Sequence, residues 1–117
     1  MIFKMNDVPY KIIEIEQQDF DQIEEDEGYY YGQSHFFTHE VWLESSLSEE
    51  KKRKTLYHEL LHIYIKEFIT TRDMENFTEE MLCDISANSH DIIHEIVENY
   101  FKSKEIMKGI GKKAKWN

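Results

Sequence analysis

The sequence predicts an α+β domain, with a small antiparallel or mixed sheet in its first half and two helices in its second. Three observations carry that expectation. Alternating, β-branched runs fall before residue 45, and apolar residues at three- and four-residue spacing fall after it. No internal repeat or Pro/Ser-rich linker separates the two halves. With 117 residues, 40% of them hydrophobic and 14% aromatic, the chain can build one core.

Val8 to Glu16 alternates and is rich in β-branched residues, as a half-buried strand requires. Residues 17–27 are mostly acidic or amide-bearing, with Phe20 and Ile23 spaced for a short helical turn. Tyr29-Tyr30-Tyr31 follows Gly28, and His39 to Leu43 follows Gly32-Gln33-Ser34. These two runs read as strands of a hairpin or meander, with Val41 and Leu43 on one face and Trp42 on the other. The strand from His39 to Leu43 is the expected sheet edge for an extended ligand.

Ser46 with Glu49 three residues on, and then Ser48, mark a helix start. Leu56, Leu60 and Ile63, with Tyr57 and Tyr64, continue that helix to about Glu67. Thr70-Thr71-Arg72-Asp73 is a break. Thr78 is the expected cap of a second helix, with Phe77 and Leu82 set for a hydrophobic staple. Met81, Leu82, Ile85, Ile92, Ile93, Ile96, Val97, Tyr100 and Phe101 carry it to about Ser103. Residues 1–103 thus form a single domain, and 104–117 read as a Lys-rich, solvated C-terminal tail.

Charge and composition exclude several classes. There are 24 acids against 14 bases, a net charge of -10, which is wrong for gripping a phosphate backbone. The single Cys cannot build a disulfide framework or a Cys-based zinc knuckle. No apolar run approaches the ~20 residues of a membrane span, and Met1 to Asp7 contains no signal-peptide core. The expectation is a cytoplasmic protein with no nucleic-acid or membrane partner. Residues 1–44 hold eleven acids and two bases, whereas the segment from Lys102 onward holds six lysines and one acid.

Inside the first helix lies His58-Glu59-Leu60-Leu61-His62, an H-E-x-x-H sequence. Four residues make about one turn, so both imidazoles leave one face and can hold one metal ion. Glu59 projects about 100° round the axis from His58, where it can take a proton from a metal-activated water. Zn2+ is the expected ion. A catalytic zinc site also needs a third protein ligand and an open position. Ile65 and Phe68 stand where a metzincin would carry Gly and His, so the third ligand is sought on the next helix, at Glu79 or Glu80.

In antiparallel helices a four-residue step on one matches a four-residue step on the other. Glu80 opposite His62 then puts Asp84 opposite His58, where it can hold the other ring nitrogen. Glu79 would bring Cys83 to that place instead, so the spacing favours Glu80. His90 and His94 lie too far along for this ion and read as a solvated stripe with Asp91, Glu95 and Glu98. His35 and His39 flank a turn and suit adventitious metal binding. Cys83 reads as a small buried hydrophobe, and Tyr29-Tyr30-Tyr31 as strand packing, although a Tyr or His from the first half could donate to an oxyanion.

H-E-x-x-H followed by a Glu on the next helix and an Asp four residues later resembles the gluzincin group of zinc metallopeptidases. The small size and the strands leading into Thr55-Leu56-Tyr57-His58-Glu59-Leu60-Leu61-His62 resemble the minimal, often phage-encoded proteins of the ImmA/IrrE kind, over residues 28–101. Glu80-Met81-Leu82-Cys83-Asp84 departs from the Glu-Ala-Asn-x-Phe-Ala run of that kind. The resemblance implies a zincin-like fold in which His58, His62 and Glu80 bind zinc, Glu59 is the general base and Asp84 orients His58. It implies hydrolysis of a peptide bond in a protein or peptide substrate, in the host cytoplasm if the protein is phage-encoded. The alternative is a non-catalytic, zinc-containing or acidic interaction domain that antagonises a partner protein.

Overall fold

The computed structural model describes residues 1–20, 30–69 and 78–115. The expected staple residue Phe77 and the break at 70–73 lie outside them. The architecture is α+β: a four-stranded mixed sheet followed by two helices. The strands are β1 (Ile2–Met5), β2 (Val8–Ile15), β3 (Gly32–His35) and β4 (Glu40–Glu44), ordered β1-β2-β4-β3. Helix α1 spans Glu49–Phe68 and α2 spans Glu79–Lys115.

Strand β1 was not expected from the sequence, although its turn carries a signal. Asn6 and Asp7 have φ of 50° and 65°, the double left-handed geometry of a two-residue hairpin turn, which Asn and Asp tolerate. The hairpin pairs Phe3 with Tyr10 and Met5 with Val8. Beyond it, β2 pairs with β4 in parallel, and β3 returns antiparallel on the far side of β4. The expected hairpin between the Tyr run and His39–Leu43 therefore exists, but its first strand begins at Gly32. Strand β4 is internal, which corrects its assignment as the sheet edge; the outer strand is β3.

Register sorts the side chains. Ile12 pairs with Val41, Val41 with Ser34, and Leu43 with Gly32, so these residues share the face that also carries Phe3 and Tyr10. Phe3, Met5, Tyr10, Ile12, Val41 and Leu43 are buried there against Leu56, Leu60, Ile63 and Tyr64 of α1 and Ile93, Val97 and Tyr100 of α2. Burying a Leu or Ile of this kind contributes about 1.5–3 kcal/mol. On the opposite face Trp42 packs edge-on to Phe20, which stacks on Tyr30.

The helix signals are local and hold well. Ser48 caps α1, its hydroxyl accepting from Lys51 N, so the helix starts two residues beyond the Ser46 position. Ser46 instead donates to the buried Glu44 carboxylate. Thr78 caps α2 through Oγ1, which accepts from Met81 N. Cys83 is exposed, which corrects its expected burial: α2 buries the stripe through Ile85, Ser89, Ile93, Ile96 and Tyr100, and residue 83 lies off it.

Helix α2 also runs past Ser103, through 37 residues in all. Lys104 returns to the body, bonding Glu14 of β2 beside Tyr100 and Lys52. Burial would raise the Glu14 pKa, but bonds from Lys104, Lys52 and Tyr100 outweigh it and lower it to about 2. Burial and the hydrogen bond to Glu14 push the Tyr100 phenol well above its ordinary value. Among the described residues, no helix is long and apolar enough to cross a membrane.

Candidate metal centre

Helix α1 lies over the sheet with Leu56, Glu59 and Ile63 turned inward and His58 and His62 turned to solvent. The Nε2 atoms of His58 and His62 stand 3.2 Å apart, with the rings nearly perpendicular at 80°. Two imidazole nitrogens on one tetrahedral zinc ion, each at 2.0–2.1 Å, are about 3.3 Å apart. The pair is therefore already at chelating distance. His58, Glu59 and His62 each offer a ligand atom within 4.8 Å of the others, the one such group of His, Cys, Asp and Glu among the described residues.

Glu59 differs from its neighbours in being buried, at 7% exposure. Its carboxylate reaches the outer strand, where Ser34 Oγ lies 3.3 Å from Glu59 Oε1 and donates to the Glu59 carbonyl at 3.1 Å. Gly32, two residues earlier on the same face of β3, makes this approach possible. A Cβ there would stand 2.6 Å from Thr55 Cγ2 and 3.2 Å from Glu59 Cγ. A Gly-x-Ser step on an edge strand thus opens the space that Glu59 occupies. Neither residue was given a role at the site from the sequence; the signal was two small residues, two apart, on a strand otherwise flanked by aromatics.

Beside His58 and Glu59 opens a cavity of about 410 Å³, lined also by Tyr30, Tyr31, Gly32, Lys54 and Thr55. Tyr31, from the triple-Tyr run, is half-exposed on its wall, whereas Tyr30 is buried and bonded through its backbone to the Gln17 side chain. A larger cavity of about 540 Å³ lies against the later part of α2, with no His, Cys, Asp or Glu in its lining.

The expected helix register is not the one observed. Tyr57 Oη and His90 Nδ1 stand 2.9 Å apart, and Arg53 Nη1 donates to Glu98 Oε1 at 2.5 Å. The helices are antiparallel, and these two contacts put His62 level with residues 85–89. Glu80 is then about 8–14 Å further along α2, at 1.5 Å per residue. Glu79, Glu80 and Asp84 are exposed, and none belongs to the group around His58 and His62.

The other histidines have separate partners. His90 pairs with Tyr57 and stacks on His94 at 5.8 Å. His35 packs on Trp42 at 3.9 Å, and His39, at φ 57°, stacks on Tyr10 at 4.8 Å. His35 and His39 therefore contact different rings.

Neither a curated protein nor a solved structure matches the chain. A helix with a buried glutamate between two exposed histidines, carried on a small mixed sheet, is an arrangement suited to metal-assisted hydrolysis. Residues 10–111 match the IrrE N-terminal-like domain, and on that match the chain belongs to this peptidase family.

Proposed function

We propose that the protein is a zinc-dependent hydrolase, a small metallopeptidase of the gluzincin type that cleaves a peptide bond in a protein or peptide substrate. The supporting observation is the 3.2 Å separation of the His58 and His62 Nε2 atoms beside the buried Glu59. His58 and His62 would hold zinc, with Glu80 as third protein ligand and Asp84 orienting His58. Zinc, when bound, lowers the pKa of water toward ~7 and polarises a carbonyl. Glu59 takes the proton from the attacking water and hands it to the departing amine. Ser34 Oγ, 3.3 Å from that carboxylate, would help to position it. Chain order after the H-E-x-x-H helix supports Glu80, and its engagement requires the first turns of α2 to move toward α1.

The proposal keeps the reaction in the cytoplasm, with neither nucleic acid nor membrane as partner. The exposure of Glu80 and Asp84 away from the histidines favours a second reading, a non-catalytic zinc-containing interaction domain. Turnover of a proteome-derived peptide library by the zinc-loaded chain separates the two. Glu59→Gln should keep zinc and fold yet lose at least about 100-fold in turnover. An equally active Glu59→Gln chain would refute the mechanism, and zinc binding without cleavage would favour the interaction domain.

A further inference from the structure

Four consecutive cations, Lys51 to Lys54, open the H-E-x-x-H helix. Lys52 donates to Glu14 at 2.6 Å, and Arg53 pairs with Glu98 at 2.5 Å and Glu49 at 3.7 Å. The Lys51 ammonium lies 5.3 Å from the Tyr31 ring centroid. Lys54 is exposed and makes no hydrogen bond, ion pair or ring contact among the described residues. It stands four and eight residues before His58 and His62, on their stripe of the helix and about 6 Å from His58 along the axis. It also lines the 410 Å³ cavity together with His58 and Glu59.

We propose that this cavity is the substrate subsite beside the metal centre and that it takes a carboxylate on Lys54. The inference rests on the peptidase reading and adds the substrate class: a peptide with an acidic side chain, or its terminal carboxylate, next to the cleaved bond. Lys54 has no partner among the described residues, so an anion entering the open cavity displaces none of them to reach it. Tyr31 lines the same cavity, and the Lys51 ammonium, outside the lining, lies 5.3 Å from its ring centroid. Glu59, the one carboxylate in the lining among the described residues, has its Oε1 3.3 Å from Ser34 Oγ. In a chain of net charge -10, Lys54 gives this cavity a cation that an acidic peptide can meet.

The test uses the full chain with three probes: N-acetylglutamate α-amide, N-acetylglutamine and N-acetylglutamine α-amide. They carry a side-chain carboxylate, a terminal carboxylate and no charge. Amide shifts at Tyr31, Gly32 and Thr55 should respond to one carboxylate probe at about 5-fold lower concentration than to the neutral one. Which carboxylate wins identifies its source. Lys54→Gln should abolish the difference and Lys54→Arg should keep it, with shifts elsewhere confirming that both variants fold. Equal response to all three probes, or a difference that survives Lys54→Gln, overturns the proposal. The readout needs no turnover: a carboxylate preference without cleavage would uphold the site and sink the peptidase reading.

Discussion

Replacing Gly32 with Ala tests whether β3 and α1 are packed as closely as Glu59 requires. The new Cβ would meet Thr55 Cγ2 at 2.6 Å, the Trp42 carbonyl oxygen at 3.0 Å and Glu59 Cγ at 3.2 Å. Ordinary carbon contacts lie at about 3.5–4.0 Å, so all three are too close. The carbonyl belongs to the β4 backbone and cannot swing aside, so β3 must lift from α1. Overpacking of this kind costs about 1–3 kcal/mol. Gly32 does not have positive φ, so Ala fits the backbone and recovers about 0.4–1 kcal/mol through the unfolded chain. A net loss of about 1–2 kcal/mol should lower Tm by about 4–8 °C, read by thermal and urea unfolding. Adding Thr55→Ser removes the nearest atom and should restore about half of the loss, since two close contacts remain. A Gly32→Ala chain as stable as the parent, or no recovery with Thr55→Ser, would refute this packing.

Ser34→Ala should cost no more than about 1 kcal/mol in stability, yet lower peptide turnover about 10-fold by releasing the Glu59 carboxylate; unchanged turnover would remove Ser34 from the site. Glu14 has a folded pKa of about 2, below its usual 4.5, so its stabilising effect is full above pH 4.5 and is lost as pH falls toward 2. Glu14→Gln should therefore lose up to about 3 kcal/mol at pH 7 and converge on the parent through that acid window, as measured by urea unfolding. Parallel curves with no convergence would contradict the Lys52–Glu14–Lys104 junction.

What could be read from the sequence was local. Helix α1 and the start of α2 follow from apolar spacing and from Ser48 and Thr78, whose side chains act within one turn. The histidine pair follows from the same periodicity, because residues one turn apart share a face whatever the tertiary structure. Long-range features did not follow. The parallel pairing of β2 with β4, and the placement of β3 beyond it, depend on contacts across more than 20 residues of chain. Matching four-residue steps on antiparallel helices allow Glu80 to stand opposite His62 but do not fix that register. The observed contacts, Tyr57 with His90 and Arg53 with Glu98, set a different one. Ser34 gave no local sign of its bond to Glu59, since the two meet only when the edge strand folds under α1.

The most direct test of the metal centre is elemental analysis of the chain purified without added metal or chelator, together with anomalous diffraction at the zinc edge. One zinc per chain is expected, bonded at about 2.0–2.1 Å to Nε2 of His58 and His62 and to a carboxylate from the start of α2. His58→Ala should lose it. A chain that binds no zinc, gains no thermal stability when zinc is added, or holds the ion away from His58 and His62 would contradict the account.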